Sequence, residues 1–290
     1  PFYPHDGAGC RPGANQPTPT DYPMQPDQRI PAVLCAAGHD PSGGAGITAD
    51  AEAIRAAGAH PLGVITCLTA QDTCGLRRLW PQPPAQVEEQ CRLVLEDARV
   101  AAIKIGLLGS AAMVRVLAGI MQDHPDLPVV LDPVLASGSG QSVADAALCN
   151  QMRQRLFPAV TLLTPNVPEA QTLSGAAGTD DCAERLLRLG CLWVLITGTH
   201  APGPAVTNRL YGRNGTGISW DWPRLPGEYH GSGCTLASAI AARLALGQDV
   251  PGATAEAQDY TWKTLERARR TGRCQLNPNR LFALDPEAGP

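Results

Sequence analysis

Apolar and polar positions along the chain follow two alternating rhythms. Short unbroken apolar runs read as buried strands, and longer stretches with apolar residues three or four apart read as helices with one inward face. Pro31 to Ala37 gives the first strand, and Ile47 to Ala57 the first helix, with Ile47, Ala51, Ile54 and Ala57 on one side. Leu62 to Thr69 is the second strand, and Thr73 to Trp80 is expected as a hairpin or flap outside the main sheet. Pro84 to Asp97 and Ala111 to Met121 read as helices, separated by a strand at Ala101 to Ile105 and followed by one at Val129 to Leu131. Ala144 to Leu156, Glu169 to Leu173 and Ala183 to Leu189 read as helices, with extended segments at Val160 to Leu163 and Leu192 to Thr197. Val206 to Tyr211 and Gly217 to Trp222 form an expected antiparallel pair around Arg213-Asn214-Gly215, before helices from Gly233 and from Ala253 to Arg270. Repeated strand–helix–strand units with buried apolar strands predict an α/β fold with a mainly parallel sheet covered on both faces.

Composition narrows the class. At 290 residues the chain is long enough for one large α/β unit with a substantial core. Residues 1–29 are rich in proline and polar residues without apolar periodicity, so a tail is expected there and a single domain over 30–290. A formal charge of −4 argues against a nucleic-acid or anionic-membrane partner. No apolar run approaches the roughly 18 residues of a membrane span, and no secretory signal pattern opens the chain. The ten cysteines lie mostly in apolar runs or on expected helices and form no Cys-x-x-Cys pair. Reduced thiols in a cytoplasmic enzyme are therefore expected.

The segments that carry chemistry follow strands directly, where ligands of such sheets bind. Gly231-Ser232-Gly233-Cys234-Thr235 runs into an Ala/Leu-rich helix. A glycine loop opening a helix leaves unpaired N–H groups at the positive end of the macrodipole, an anion hole. Cys234 in the first turn is expected to have a lowered pKa. The same residues also fit a plain glycine turn with Cys234 as core filler. Gly38 to Gly46 is glycine-dense and carries Asp40, an acceptor or a local cap; the neighbouring His39 is assigned no role. Gln71, after the second strand, can both donate and accept toward a heteroaromatic edge, or be solvated. Asp132-Pro133-Val134 precedes Ser137-Gly138-Ser139-Gly140 and offers a carboxylate for a metal shell or for solvent. Asn166 and Glu169 suit a water-bound Mg²⁺, and equally a helix capping box. Ile196-Thr197-Gly198-Thr199-His200 closes the series at another strand end.

Taken together, these motifs resemble the ribokinase-like superfamily, and most nearly its hydroxymethylpyrimidine/phosphomethylpyrimidine kinase branch. The resemblance is carried by Ala37 to Asp50, Thr69 to Thr73, Lys104 to Leu108, Asp132 to Val134, Thr164 to Glu169 and Gly231 to Leu236, in the family's order. It implies a three-layer αβα sandwich that uses ATP and Mg²⁺ to phosphorylate 4-amino-5-hydroxymethyl-2-methylpyrimidine and then its monophosphate in thiamin biosynthesis. A homodimer is also implied. By position, Cys234 takes the catalytic slot, with Gly231, Ser232 and Gly233 in the anion hole. Gly38, Asp40, Gln71, Leu107 and Val134 would surround the pyrimidine. Asn166, Thr197 and Gly198 would lie along the nucleotide, and Asp132 and Glu169 would serve the metal. Two departures stand out, since the family's lysines are missing from Ser137-Gly138-Ser139-Gly140 and from Thr197-Gly198-Thr199-His200. A pyridoxal or pyridoxine kinase of the same fold, or a non-catalytic pyrimidine binder, are the alternatives.

Overall fold

A computed structural model describes residues 29–136, 138, 140–199 and 203–285. Apart from Arg29, the expected tail lies outside these residues, as do Ser137, Ser139 and His200.

Among the described residues the sheet has nine strands in the order β3-β2-β1-β4-β5-β6-β7-β8-β9. They are β1 (Ala32–His39), β2 (His60–Asp72), β3 (Gly75–Pro81), β4 (Val100–Ile105), β5 (Val129–Leu131), β6 (Leu162–Leu163), β7 (Trp193–Ile196), β8 (Ala205–Gly212) and β9 (Gly217–Pro223). The middle of the sheet, from β2 through β1, β4, β5 and β6 to β7, is parallel. Both edges are antiparallel hairpins. The chain winds outward from β1 in both directions, so the order reverses between β1 and β4, the place where such sheets leave a crevice.

Helices cover both faces. They are α1 (Gly46–Ala56), α2 (Pro84–Asp97), α3 (Ala111–Asp123), α4 (Ala146–Gln151), α5 (Val167–Ser174), α6 (Thr179–Arg188), α7 (Ser232–Ala245) and α8 (Val250–Glu266). Strand alternation divides the apolar residues between two layers. Leu34, Ala36, Ile103, Ile105 and Val129 pack with α2 to α6 on one face. Val33, Cys35, Ala102, Val130 and Leu195 pack with α1, α7 and α8 on the other. The expected αβα sandwich is therefore present.

Three expectations need correction. Gly75–Pro81 does not stand outside the sheet: β2 is long enough to run past β1 and pair with it, from Cys67↔Pro81 to Asp72↔Gly75. The helix expected over Ala144 to Leu156 is α4 followed by a π-helical turn, Met152–Leu156, ahead of Pro158. The cysteines are not all reduced, because Cys74 at the β2–β3 turn is bonded to Cys274 beyond α8. The bond joins positions 200 residues apart, so no local spacing announced it.

Candidate active site

The carboxyl ends of β1, β2, β4, β5, β6 and β7 open on one pocket of about 990 Å³. The N-terminus of α7 forms part of its wall. Gly231, which caps that helix, has φ 79°, and a Cβ there would lie 1.9 Å from the Gly44 carbonyl oxygen. Only glycine takes this backbone at this packing. The buried Arg280 ties the two loops together, donating to Thr235 Oγ1 at 2.7 Å, to the Gly44 carbonyl and to Glu52 at 3.0 Å. Ser232, Gly233 and Cys234 follow Gly231 along the pocket wall.

Cys234 is half-buried, and its thiol is pushed up to about 12. Burial is the main cause, and the field of Lys104 offsets it only partly. This runs against the lowering expected from the helix N-terminus, because desolvation disfavours the thiolate and acts in the opposite direction.

Beneath Gly233 lies Asp132, 6 % exposed, with Oδ2 buried and lacking a hydrogen-bond partner among the described residues. Burial raises its pKa, Lys104 opposes that and Asp50 adds to it. Asn166 and Glu169 form a full capping box at the start of α5. Glu169 N donates to Asn166 Oδ1 at 2.9 Å, and Asn166 N donates to Glu169 Oε2 at 3.0 Å. Glu169 Oε1 also accepts from Leu135 N at 3.2 Å, which anchors the segment after β5. Its carboxyl rises to about 8, through burial first and the charge of Asp132 second. The capping role and a place in the pocket thus coexist, since both residues line it.

A divalent cation fits this chemistry. Asp132 Oδ2 is an orphaned buried oxygen, Glu169 supplies a second carboxylate, and Mg²⁺ takes few protein ligands because it keeps its waters. Among the described residues no cluster of three or more His, Cys, Asp or Glu side chains suits a fully protein-held metal.

Gly38, Asp40, Gln71, Leu107 and Val134 all line the same pocket. Asp40 accepts from Ser42 N, Ser42 Oγ and Ala45 N, and its Oδ2 lies 2.7 Å from His230 Nε2. Burial alone would raise its pKa, but the bonds from His230 and Ser42 hold it below the usual range. Thr197 reaches the wall as well. Gly198 is turned away from it: its N–H donates to Asn208 Oδ1 at 3.0 Å, and Thr207 O leaves no room for a Cβ.

Sequence reasoning missed His230, which is 4 % exposed and contacts both Asp40 and Gln71. Its position directly before Gly231 was the available signal. It also gave no role to His39, which lines the pocket at the end of β1. Missed too were Asn208, Trp222 and Gln258, where Gln258 Oε1 accepts from Asn208 Nδ2 at 2.8 Å and from Trp222 Nε1 at 3.1 Å.

The sandwich and its glycine-loop pocket define a ribokinase-like kinase. The phosphomethylpyrimidine kinase family model matches residues 40–279, and the chain belongs to that family. A hydroxymethylpyrimidine/phosphomethylpyrimidine kinase of Streptomyces coelicolor is 39% identical over 237 residues, covering 79% of this chain and 87% of its own. The crystal structure of a phosphomethylpyrimidine kinase from Clostridium difficile 630 superposes with a TM-score of 0.71 at 32% identity, over 82% of this chain and 100% of that one. An ADP complex of Bacillus subtilis pyridoxal kinase superposes with a TM-score of 0.81 at 25% identity, over 88% of this chain and 100% of that one. The chain spans 53% of the length of a bifunctional thiamine biosynthesis protein from Geobacter sulfurreducens that it also matches.

Proposed function

We propose that this kinase transfers the γ-phosphoryl group of ATP to 4-amino-5-hydroxymethyl-2-methylpyrimidine and then to its monophosphate, a step of thiamin biosynthesis. The observation that carries the reading is a single pocket in which the anion-hole loop with Cys234, the Gln71–Asp40 side and the Asp132–Glu169 side face one another. Family membership supports the substrate.

Gln71 and the backbone near Gly38 hold the pyrimidine, with Leu107 and Val134 against its ring. The backbone N–H groups from Gly231 through Gly233 stabilise negative charge on the transferring group. Asn166 and Thr197 lie along the nucleotide, and Gly198 keeps Thr197 in place through Asn208. Asp132 and Glu169 would hold Mg²⁺ with its waters, and the cation when bound neutralises phosphate charge. Cys234 takes the proton of the substrate hydroxyl as that oxygen bonds to phosphorus and the bond to ADP breaks. Because the thiol is held high, it must first release its own proton to solvent to become the base, and the rate then follows the thiolate fraction.

Pyridoxal or pyridoxine as the alcohol is a second reading, favoured by the TM-score of 0.81 to a pyridoxal kinase. Turnover of the two alcohols side by side separates them, and a preference for pyridoxal would reject the pyrimidine. A homodimer belongs to the proposal: Leu68 and Trp80, paired across β2 and β3, are 41% and 45% exposed and form an apolar edge it would cover. A cytoplasmic location fits an ATP-using enzyme, in which case the Cys74–Cys274 bond has to persist against a reducing pool. Among the described residues no helix is long and apolar enough to cross a membrane.

A further inference from the structure

His230 Nε2 lies 2.7 Å from Asp40 Oδ2 and 3.0 Å from the side-chain nitrogen of Gln71. A neutral ring nitrogen carries either a proton or a lone pair, so it cannot donate to a carboxylate and also accept from an amide. Asp40 decides between the two. Its other partners, Ser42 N, Ser42 Oγ and Ala45 N, are all donors, as an ionised carboxylate requires. Nε2 therefore carries the proton. The opposite nitrogen, Nδ1, is buried and has no hydrogen-bond partner among the described residues, so a proton placed there would be left unpaired.

With Nε2–H fixed, an amide NH2 facing it would set donor against donor. Amide oxygen and nitrogen are interchangeable in position and are assigned from the hydrogen-bond network. The consistent assignment turns Gln71 so that Oε1 accepts a share of the Nε2–H bond. Its NH2 is then left for the pocket that Gln71 lines.

We propose that His230, anchored by Asp40, is a positioning residue that orients the Gln71 amide so that its NH2 faces an acceptor on the substrate ring. An acceptor nitrogen at that edge is bound, whereas a donor there meets a second donor and is rejected. The ligand's identity rests on the functional reading above; the orientation of Gln71 does not.

The test is a double-mutant cycle on KM and kcat with hydroxymethylpyrimidine, using Gln71→Ala, His230→Leu and the double variant. His230→Leu alone should raise KM about tenfold with kcat within about threefold, and should add less than about twofold in the Gln71→Ala background, since residues acting through one another are non-additive. His230→Gln places an NH2 that reaches both Asp40 and Gln71 Oε1, and should keep KM within about threefold of the parent. Equal costs in both backgrounds, or no rise in KM at all, overturn the proposal. Should His230→Leu fail to fold, ¹⁵N NMR of the ligand-free parent decides: the Nε2-protonated tautomer supports the relay and the Nδ1-protonated one refutes it. That spectrum also separates this inference from the functional reading, which fails instead if the parent turns over no pyrimidine.

Discussion

Lys104 Nζ lies 2.8 Å from Asp50 Oδ1, and both side chains are fully buried. Ser238 Oγ, one turn beyond Cys234 on α7, donates to the same oxygen at 2.7 Å. Burial pulls the ammonium's pKa down, but Asp50, with Cys234 and Asp132 behind it, holds it up. A cation is thus locked behind the glycine loop, joining β4, α1 and α7. Removing one partner of such a pair strands the other, whereas removing both is far milder.

Lys104→Met should therefore cost about 3–5 kcal/mol of stability, and the Asp50→Asn/Lys104→Met double variant much less than the sum of its single changes. Urea unfolding midpoints measure this. Additive losses would mean that the two residues stabilise the fold independently.

Glu169 contributes a pH dependence of known sign. Its carboxyl titrates near pH 8 in the folded chain, above its unfolded value, so the folded state holds the proton more tightly. The stability linked to it is complete below the ordinary carboxylate range, declines as pH rises toward 8 and levels off above. Without added Mg²⁺, the parent should lose a few kcal/mol relative to Glu169→Gln between pH 5 and pH 9, an order of magnitude set by the shift. A constant difference across that range would contradict the assignment.

The high Cys234 thiol has a kinetic signature. If turnover needs the thiolate, kcat should rise about tenfold per pH unit from pH 6 to 9, since the thiol titrates only near 12. Iodoacetamide labelling of Cys234 should be slow at neutral pH and climb in parallel. A flat rate profile would deny Cys234 its role as base.

The Cys74–Cys274 bond ties the β2–β3 turn to the segment bearing Gln275, which donates to Gly138 O at 3.2 Å across the pocket rim. Cys74→Ser should lower stability by about 2–4 kcal/mol, the usual range for a long closed loop. Denaturant midpoints with and without dithiothreitol check it. Reductant should move the parent toward the variant and leave the variant unchanged.

The sandwich was legible because buried parallel strands are unbroken apolar runs and their helices carry one apolar stripe. Val129–Leu131 and Pro84–Asp97 fall where the pattern puts them. The helix expected from Ala253 to Arg270 runs instead from Val250 to Glu266, with Pro251 in its first turn under the Asp249 cap. The residues singled out from sequence gather on one pocket, apart from Gly198. What stayed hidden depended on distant partners. His230 gains its meaning from Asp40 and Gln71, 190 and 159 residues away. The thiol of Cys234 is set by enclosure that a helix-terminus rule does not see.

The most direct measurement is a ³¹P NMR time course of the protein with hydroxymethylpyrimidine, ATP and Mg²⁺, beside Cys234→Ala. The account predicts monophosphate and then diphosphate, with the variant slower by at least about 100-fold. Arrest at the monophosphate would restrict the enzyme to the first transfer. No phosphorylated pyrimidine from the parent would contradict the account.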